Sequence, residues 1–86
     1  MYYDVIDKTF EAQLNDLAGL ISIPSVSRGT PEPGAPLGRS VSDALEYTLA
    51  LAKKLGFPNS RSLDGYCGVI DYGEGEEMLM IMAHID

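Results

Sequence analysis

Six apolar residues, Met78 to Ala83, run without a break into His84-Ile85-Asp86. A strand with one wet face alternates apolar and polar positions, whereas an unbroken run of strand length marks a strand covered on both faces. The run therefore predicts a sheet buried beneath other elements. The polar residues that follow would then sit at its rim, where open α/β sheets place their ligands. His84 and Asp86 stand at i and i+2 of that extended segment, so their side chains are expected on one side, about 6.5 Å apart at roughly 3.3 Å per residue. A histidine that binds metal through one ring nitrogen needs the other nitrogen held, and a carboxylate is a frequent holder. On spacing alone the pair reads more simply as the polar end of a strand. Its place after an apolar strand makes it a candidate metal site.

The chain upstream predicts helices. Ile6, Phe10, Leu14, Leu17 and Ile21 recur at steps of four and three, one stripe of a helix that begins near Asp4. It must end by Ile23, because Pro24 disfavours helical geometry in the residue before it. A loop from Pro24 to Arg39 follows, including the proline- and glycine-rich stretch GTPEPGAPLG. Ser40 is expected to open a second helix in a box-like cap with Asp43, with Val41, Leu45, Thr48, Ala52 and Leu55 as its inner stripe. Lys53 and Lys54 suit its negative end, and Gly56 suits a left-handed stop. The period then turns extended: Arg61–Leu63, a turn at Asp64-Gly65, Tyr66–Tyr72, a second turn over Gly73–Glu76, and the final apolar strand. The expected fold class is α/β, two N-terminal helices and then three strands. A meander ending in its most apolar strand leaves the kind of exposed edge that natural domains avoid, so this one is expected to be covered by further chain.

Eighty-six residues bound the answer at one small core of marginal stability. A net charge of −7 repels phosphate backbones and anionic lipid, which argues against nucleic-acid and membrane-surface partners. Cys67 is the only cysteine, which excludes an internal disulfide and zinc-ribbon spacing; it is expected to be a small buried apolar residue in a reducing, cytoplasmic setting. Nothing resembles a secretory signal, and no apolar run approaches the roughly 20 residues of a membrane span. The glycines of Tyr72–Glu77 lack a phosphate-loop pattern, and Glu74, Glu76 and Glu77 would repel a phosphate, so they are expected to form a hairpin turn. Ser25 and Ser27 lack a nucleophile elbow and are expected to be loop hydroxyls that satisfy backbone groups. Asp64 and Asp71 read as solvated turn and strand residues.

Taken together, these blocks resemble a known family. MLMIMAHID resembles the strand that delivers the first metal ligand in the co-catalytic zinc peptidases of the aminoacylase and carboxypeptidase superfamily. LISIPSVS, APLGRSVSDAL, KKLGF and LDGYCGVIDYGEGEE, in this order, are similar to the PepV-type (Sapep-like) dipeptidase branch. The resemblance covers essentially the whole chain. Leu37 stands where the branch usually has phenylalanine and Cys67 where it has alanine, both apolar replacements.

The resemblance implies that residues 1–86 are the N-terminal portion of a metallopeptidase catalytic domain, a mixed sheet covered by helices. It makes His84 a metal ligand and Asp86 the catalytic carboxylate that orients the imidazole. Two zinc ions per active site are implied, with manganese as an alternative, and a dipeptide as the substrate of a metal-activated water. The bridging carboxylate, the general base and the remaining ligands would lie downstream. The 86 residues alone are accordingly expected to lack peptidase activity, to bind metal weakly and to associate. Two alternatives carry different expectations: an amidohydrolase of the same superfamily acting on N-acyl amino acids, and a non-enzymatic binding or structural module.

Overall fold

The apolar stripes fold as the helices they predict. In the computed structural model, which describes residues 2–26 and 29–86, α1 spans Tyr2–Ile21 and α2 spans Arg39–Lys54. An antiparallel pair follows, β1 at Ser60–Leu63 and β2 at Cys67–Ile70. α1 stops where Pro24 requires, with the Ser22 and Ile23 amides donating to the Ala18 and Leu20 carbonyls. Its apolar stripe stays outside the core: Ile6, Phe10, Leu14, Leu17 and Ile21 are 49–71% exposed. α1 touches α2 on another line, where the Tyr47 hydroxyl donates to the Asp16 carbonyl at 2.7 Å. Among the described residues, no helix is long and apolar enough to cross a membrane.

α2 supplies most of the core. Val41, Ala44, Leu45 and Ala52 are buried, as is Ala35 in the preceding loop, while Thr48 is half-buried and bonds back to the Ala44 carbonyl. Leu55, expected in the same stripe, is exposed because the helix has already ended at Lys54. That end follows the sequence expectation closely. Gly56 takes φ 101°, its amide donates to the Lys53 carbonyl, and the Phe57 amide donates to Ala52, the bond pair of a Schellman stop. The start does not. Gly38, at φ 97°, is the N-cap, so Ser40 lies inside the helix and the Ser40–Asp43 box does not form. The preceding loop fixes this start: Glu32 and Ala35 exchange both backbone bonds, and Arg39 donates to the Glu32 carboxylate through Nε and Nη2.

The hairpin turns where Asp64-Gly65 predicts. Both residues have positive φ, 55° and 82°, and the Tyr66 amide donates to the Leu63 carbonyl, a type I′ arrangement. Tyr66 is nevertheless an extra residue, since Leu63 pairs with Cys67. The second strand is therefore shorter than the Tyr66–Tyr72 expected. The ladder reaches one bond further, from the Asp71 amide to the Asn59 carbonyl, and Arg61 pairs with Asp71 at 2.8 Å.

Three expectations need correction here. No third strand forms over Met78–Asp86, and Met78–Met82 are 72–87% exposed. A strand needs a neighbour to take its backbone bonds, and an apolar run needs layers over both faces; among the described residues neither lies beside this segment. Gly75 and Glu76 consequently form a bend that closes no hairpin. Cys67 is exposed rather than buried: it opens β2 directly after the hairpin turn, and β2 has β1 alone as its neighbour in the sheet. The observed architecture is thus a small α/β unit of two helices and a two-stranded sheet.

The hairpin lies close on α2 at Gly68, where a β-carbon would come within 2.9 Å of Leu45 Cδ1 and 3.0 Å of Leu49 Cδ2. Gly68→Val is expected to overpack this contact and destabilise it by about 1–3 kcal/mol. Native-state hydrogen exchange should show faster exchange at the β1–β2 amides, with α1 unaffected.

Candidate functional site

The segment that follows β2 brings His84 and Asp86 together. His84 Nδ1 lies 3.2 Å from Asp86 Oδ1, at the outer limit of a hydrogen bond, with the imidazole side chain 92% exposed and the carboxylate 44% exposed. The same-side placement expected from i, i+2 spacing is therefore found although the segment is not a strand. Among the described residues Nε2 has no hydrogen-bond partner, and a neutral ring with its proton on Nδ1 presents an Nε2 lone pair.

The pair borders a cavity of about 490 Å³. Val41, Leu45 and Leu49 of α2 form one wall, the Gly65–Gly68 turn and Ile70 form another, and Ile81 and Ala83 precede the two polar residues along the third. The arrangement is an apolar cleft with an imidazole and a carboxylate at its edge, the general form of a small-molecule site.

Ser25 reaches the same place from the other end of the chain. Its hydroxyl donates to the carbonyl of Ile85, between His84 and Asp86, at 2.7 Å. It is a loop hydroxyl satisfying a backbone group, as expected, but the group lies 60 residues away. No sequence signal marks that partner. Ser27 lies outside the described residues. Asp71 is occupied by Arg61, and Asp64 sits in the hairpin turn, so neither joins His84.

As a metal centre the site is partial. The imidazole and its carboxylate match a ligand with its orienting partner. Among the described residues, no group of three or more histidine, cysteine or acidic side chains gathers to hold an ion, which leaves most of a tetrahedral shell to other donors.

Comparison with known proteins finds relatives named as dipeptidases. The chain is 35% identical over 77 residues to "Putative dipeptidase YtjP" of Bacillus subtilis, a match covering 88% of this chain. It is 38% identical over 76 residues to a "Putative dipeptidase" of Staphylococcus epidermidis, covering 85% of this chain. It is 31% identical over 87 aligned positions to "Putative dipeptidase SAUSA300_1697" of Staphylococcus aureus, covering all of it. The chain spans only about 16–18% of the length of these relatives. No protein-family model matches it, and no solved structure matches at a significant level.

The Nδ1 contact has a measurable signature. Long-range ¹H–¹⁵N spectra of the neutral ring should show a larger Nδ1–H tautomer fraction than in Asp86→Ala. Equal fractions in both chains would mean that the carboxylate does not hold the ring.

Proposed function

We propose that residues 1–86 are the N-terminal portion of the catalytic domain of a metal-dependent dipeptidase. His84 serves as a ligand through Nε2, and Asp86 accepts the Nδ1 proton, fixing the tautomer and the plane of the ring. The observation that carries the metal-dependent part is the 3.2 Å contact between Nδ1 and the carboxylate, which leaves the other nitrogen available. The dipeptide substrate rests on the names of the relatives.

Imidazole and carboxylate donors suit zinc, two ions per active site in the proposed enzyme, and manganese is also accommodated by carboxylate-rich sites. Such ions, when bound, supply Lewis-acid polarisation and a water acidic enough to act as a nucleophile near neutral pH. This chain's own contribution is narrower. Asp86 accepts the Nδ1 proton of the ring and so orients Nε2 as the donor to a metal. The α2 wall of the cavity gives the site an apolar side. The general base and remaining ligands are assigned to the additional length that the relatives possess.

The exposed faces favour this reading over a self-contained module. A module of this size needs its apolar surface for its own core, yet the α1 stripe and Met78–Met82 are left outside it. Large contiguous apolar surface of this kind normally lies under another part of a protein.

The test uses a polypeptide that carries this segment together with the rest of the length found in its relatives. His84→Ala is expected to lower bound metal and dipeptide hydrolysis together. Asp86→Asn should keep most of the metal while reducing turnover about 10- to 100-fold, the range for partners that orient a ligand. Full metal content with normal turnover in His84→Ala would end the ligand assignment. The 86 residues alone should show no dipeptide hydrolysis with added zinc or manganese, and light scattering should rise with concentration as the exposed apolar faces meet.

A further inference from the structure

We infer that Ser25 is a positioning residue for the His84–Asp86 pair. This rests on the proposed role of that pair and adds to it a residue from the opposite end of the chain.

Residues 72–86 are joined to the rest of the fold very sparingly. The backbone ladder ends at the bond from the Asp71 amide to Asn59, and the ring of Tyr72 meets Phe57 edge to face at 5.3 Å. Beyond Tyr72, the bond from Ser25 to Ile85 is the only hydrogen bond among the described residues that reaches from this segment to another part of the chain. Ile85 is correspondingly half-buried, while its neighbours on both sides are exposed. The accepting carbonyl belongs to the residue between the two functional side chains. Holding it limits rotation of the backbone that aims both of them.

The donor is itself held by its local sequence. Pro24 ends α1 and has a restricted φ. The Ser25 amide donates to the Ile23 carbonyl at 2.8 Å and the Val26 amide to the Pro24 carbonyl at 2.8 Å, two successive three-residue turns. A hydroxyl on such a turn has little freedom to wander. It is anchored through α1 rather than through the hairpin, so the pair is located from two elements distant in sequence.

Ser25→Ala removes the donor and leaves the turn intact, and Ser25→Thr restores a hydroxyl. The full 86-residue chain is labelled with ¹⁵N and ¹³C. Ser25→Ala should shift the Ile85 carbonyl resonance, lower the ¹H–¹⁵N heteronuclear NOE of residues 84–86, and reduce the Nδ1–H tautomer fraction of His84. Zinc titration followed on the His84 ring should show affinity weakened about tenfold, the lower end of what outer partners of a metal ligand contribute. Ser25→Thr should recover both, and the amide shifts of α2 and the hairpin should be unchanged in either variant. An unaltered NOE and tautomer fraction in Ser25→Ala would overturn the inference. So would loosening of residues 84–86 with unchanged zinc affinity at His84. If the His84 ring of the unsubstituted chain does not respond to zinc, these residues alone supply too little of the metal shell, and the metal reading is decided in the longer polypeptide. The positioning role is then decided by the tautomer fraction, which needs no metal.

Discussion

The inner face of α2 against the β1–β2 hairpin is the contact on which the rest of this structure depends. Val41, Leu45 and Ala52 face inward on the helix, and the hairpin approaches closely because Gly68 has no side chain opposite Leu45 and Leu49. Polar links fasten the other features to this nucleus, joined for the segment after β2 by the edge-to-face contact of Tyr72 with Phe57. The loop before α2 is fastened by Arg39 and Glu32, α1 by the Tyr47 hydroxyl on the Asp16 carbonyl, and the segment after β2 by Ser25. The exposed Arg39–Glu32 pair contributes little, and the two single hydrogen bonds about 1 kcal/mol each. The small apolar contact therefore carries most of the cohesion, and a core this small gives marginal stability.

That economy explains the position of the candidate site. The cavity beside His84 exists because α2 and the hairpin present apolar walls that Ile81 and Ala83 only partly approach. Apolar surface is plentiful in this chain, but it is divided among three faces, the α2 interior, the α1 stripe and Met78–Met82, of which the last two are left exposed. The similarity to dipeptidases several times longer fits this division, since the additional length of such proteins offers layers that two of these faces lack.

Legibility from the sequence followed the range of the interactions involved. Gly56 and the lysines before it announced the end of α2, and Asp64-Gly65 announced the hairpin turn, because each rests on the backbone preference of one or two residues. The same-side placement of His84 and Asp86 was legible because i, i+2 geometry survives in any extended segment. The Ser40–Asp43 cap failed for an instructive reason: both residues suit the motif, but the Arg39–Glu32 pair and the Gly38 backbone begin the helix earlier. The exposed Cys67 and the extra residue at Tyr66 were equally hidden, since each depends on what lies across from the strand rather than along it.

The sequence by itself determined two amphipathic helices, a hairpin and an extended segment ending in a histidine and an aspartate with a common side. All of these are set by periodicity, by glycine and proline, and by the alternation of an extended backbone, which act within a few residues. Tertiary structure alone decided which apolar faces are buried and which hydroxyl meets which carbonyl. Burial of Val41 and exposure of Met80 cannot be told apart by composition, because hydrophobic gain is realised only where a partner surface arrives. Ser25 and Ile85 likewise carry no mark of one another. Their bond exists because α1 and the hairpin fix the two ends of the chain at one place, and only the three-dimensional arrangement of those elements sets that distance.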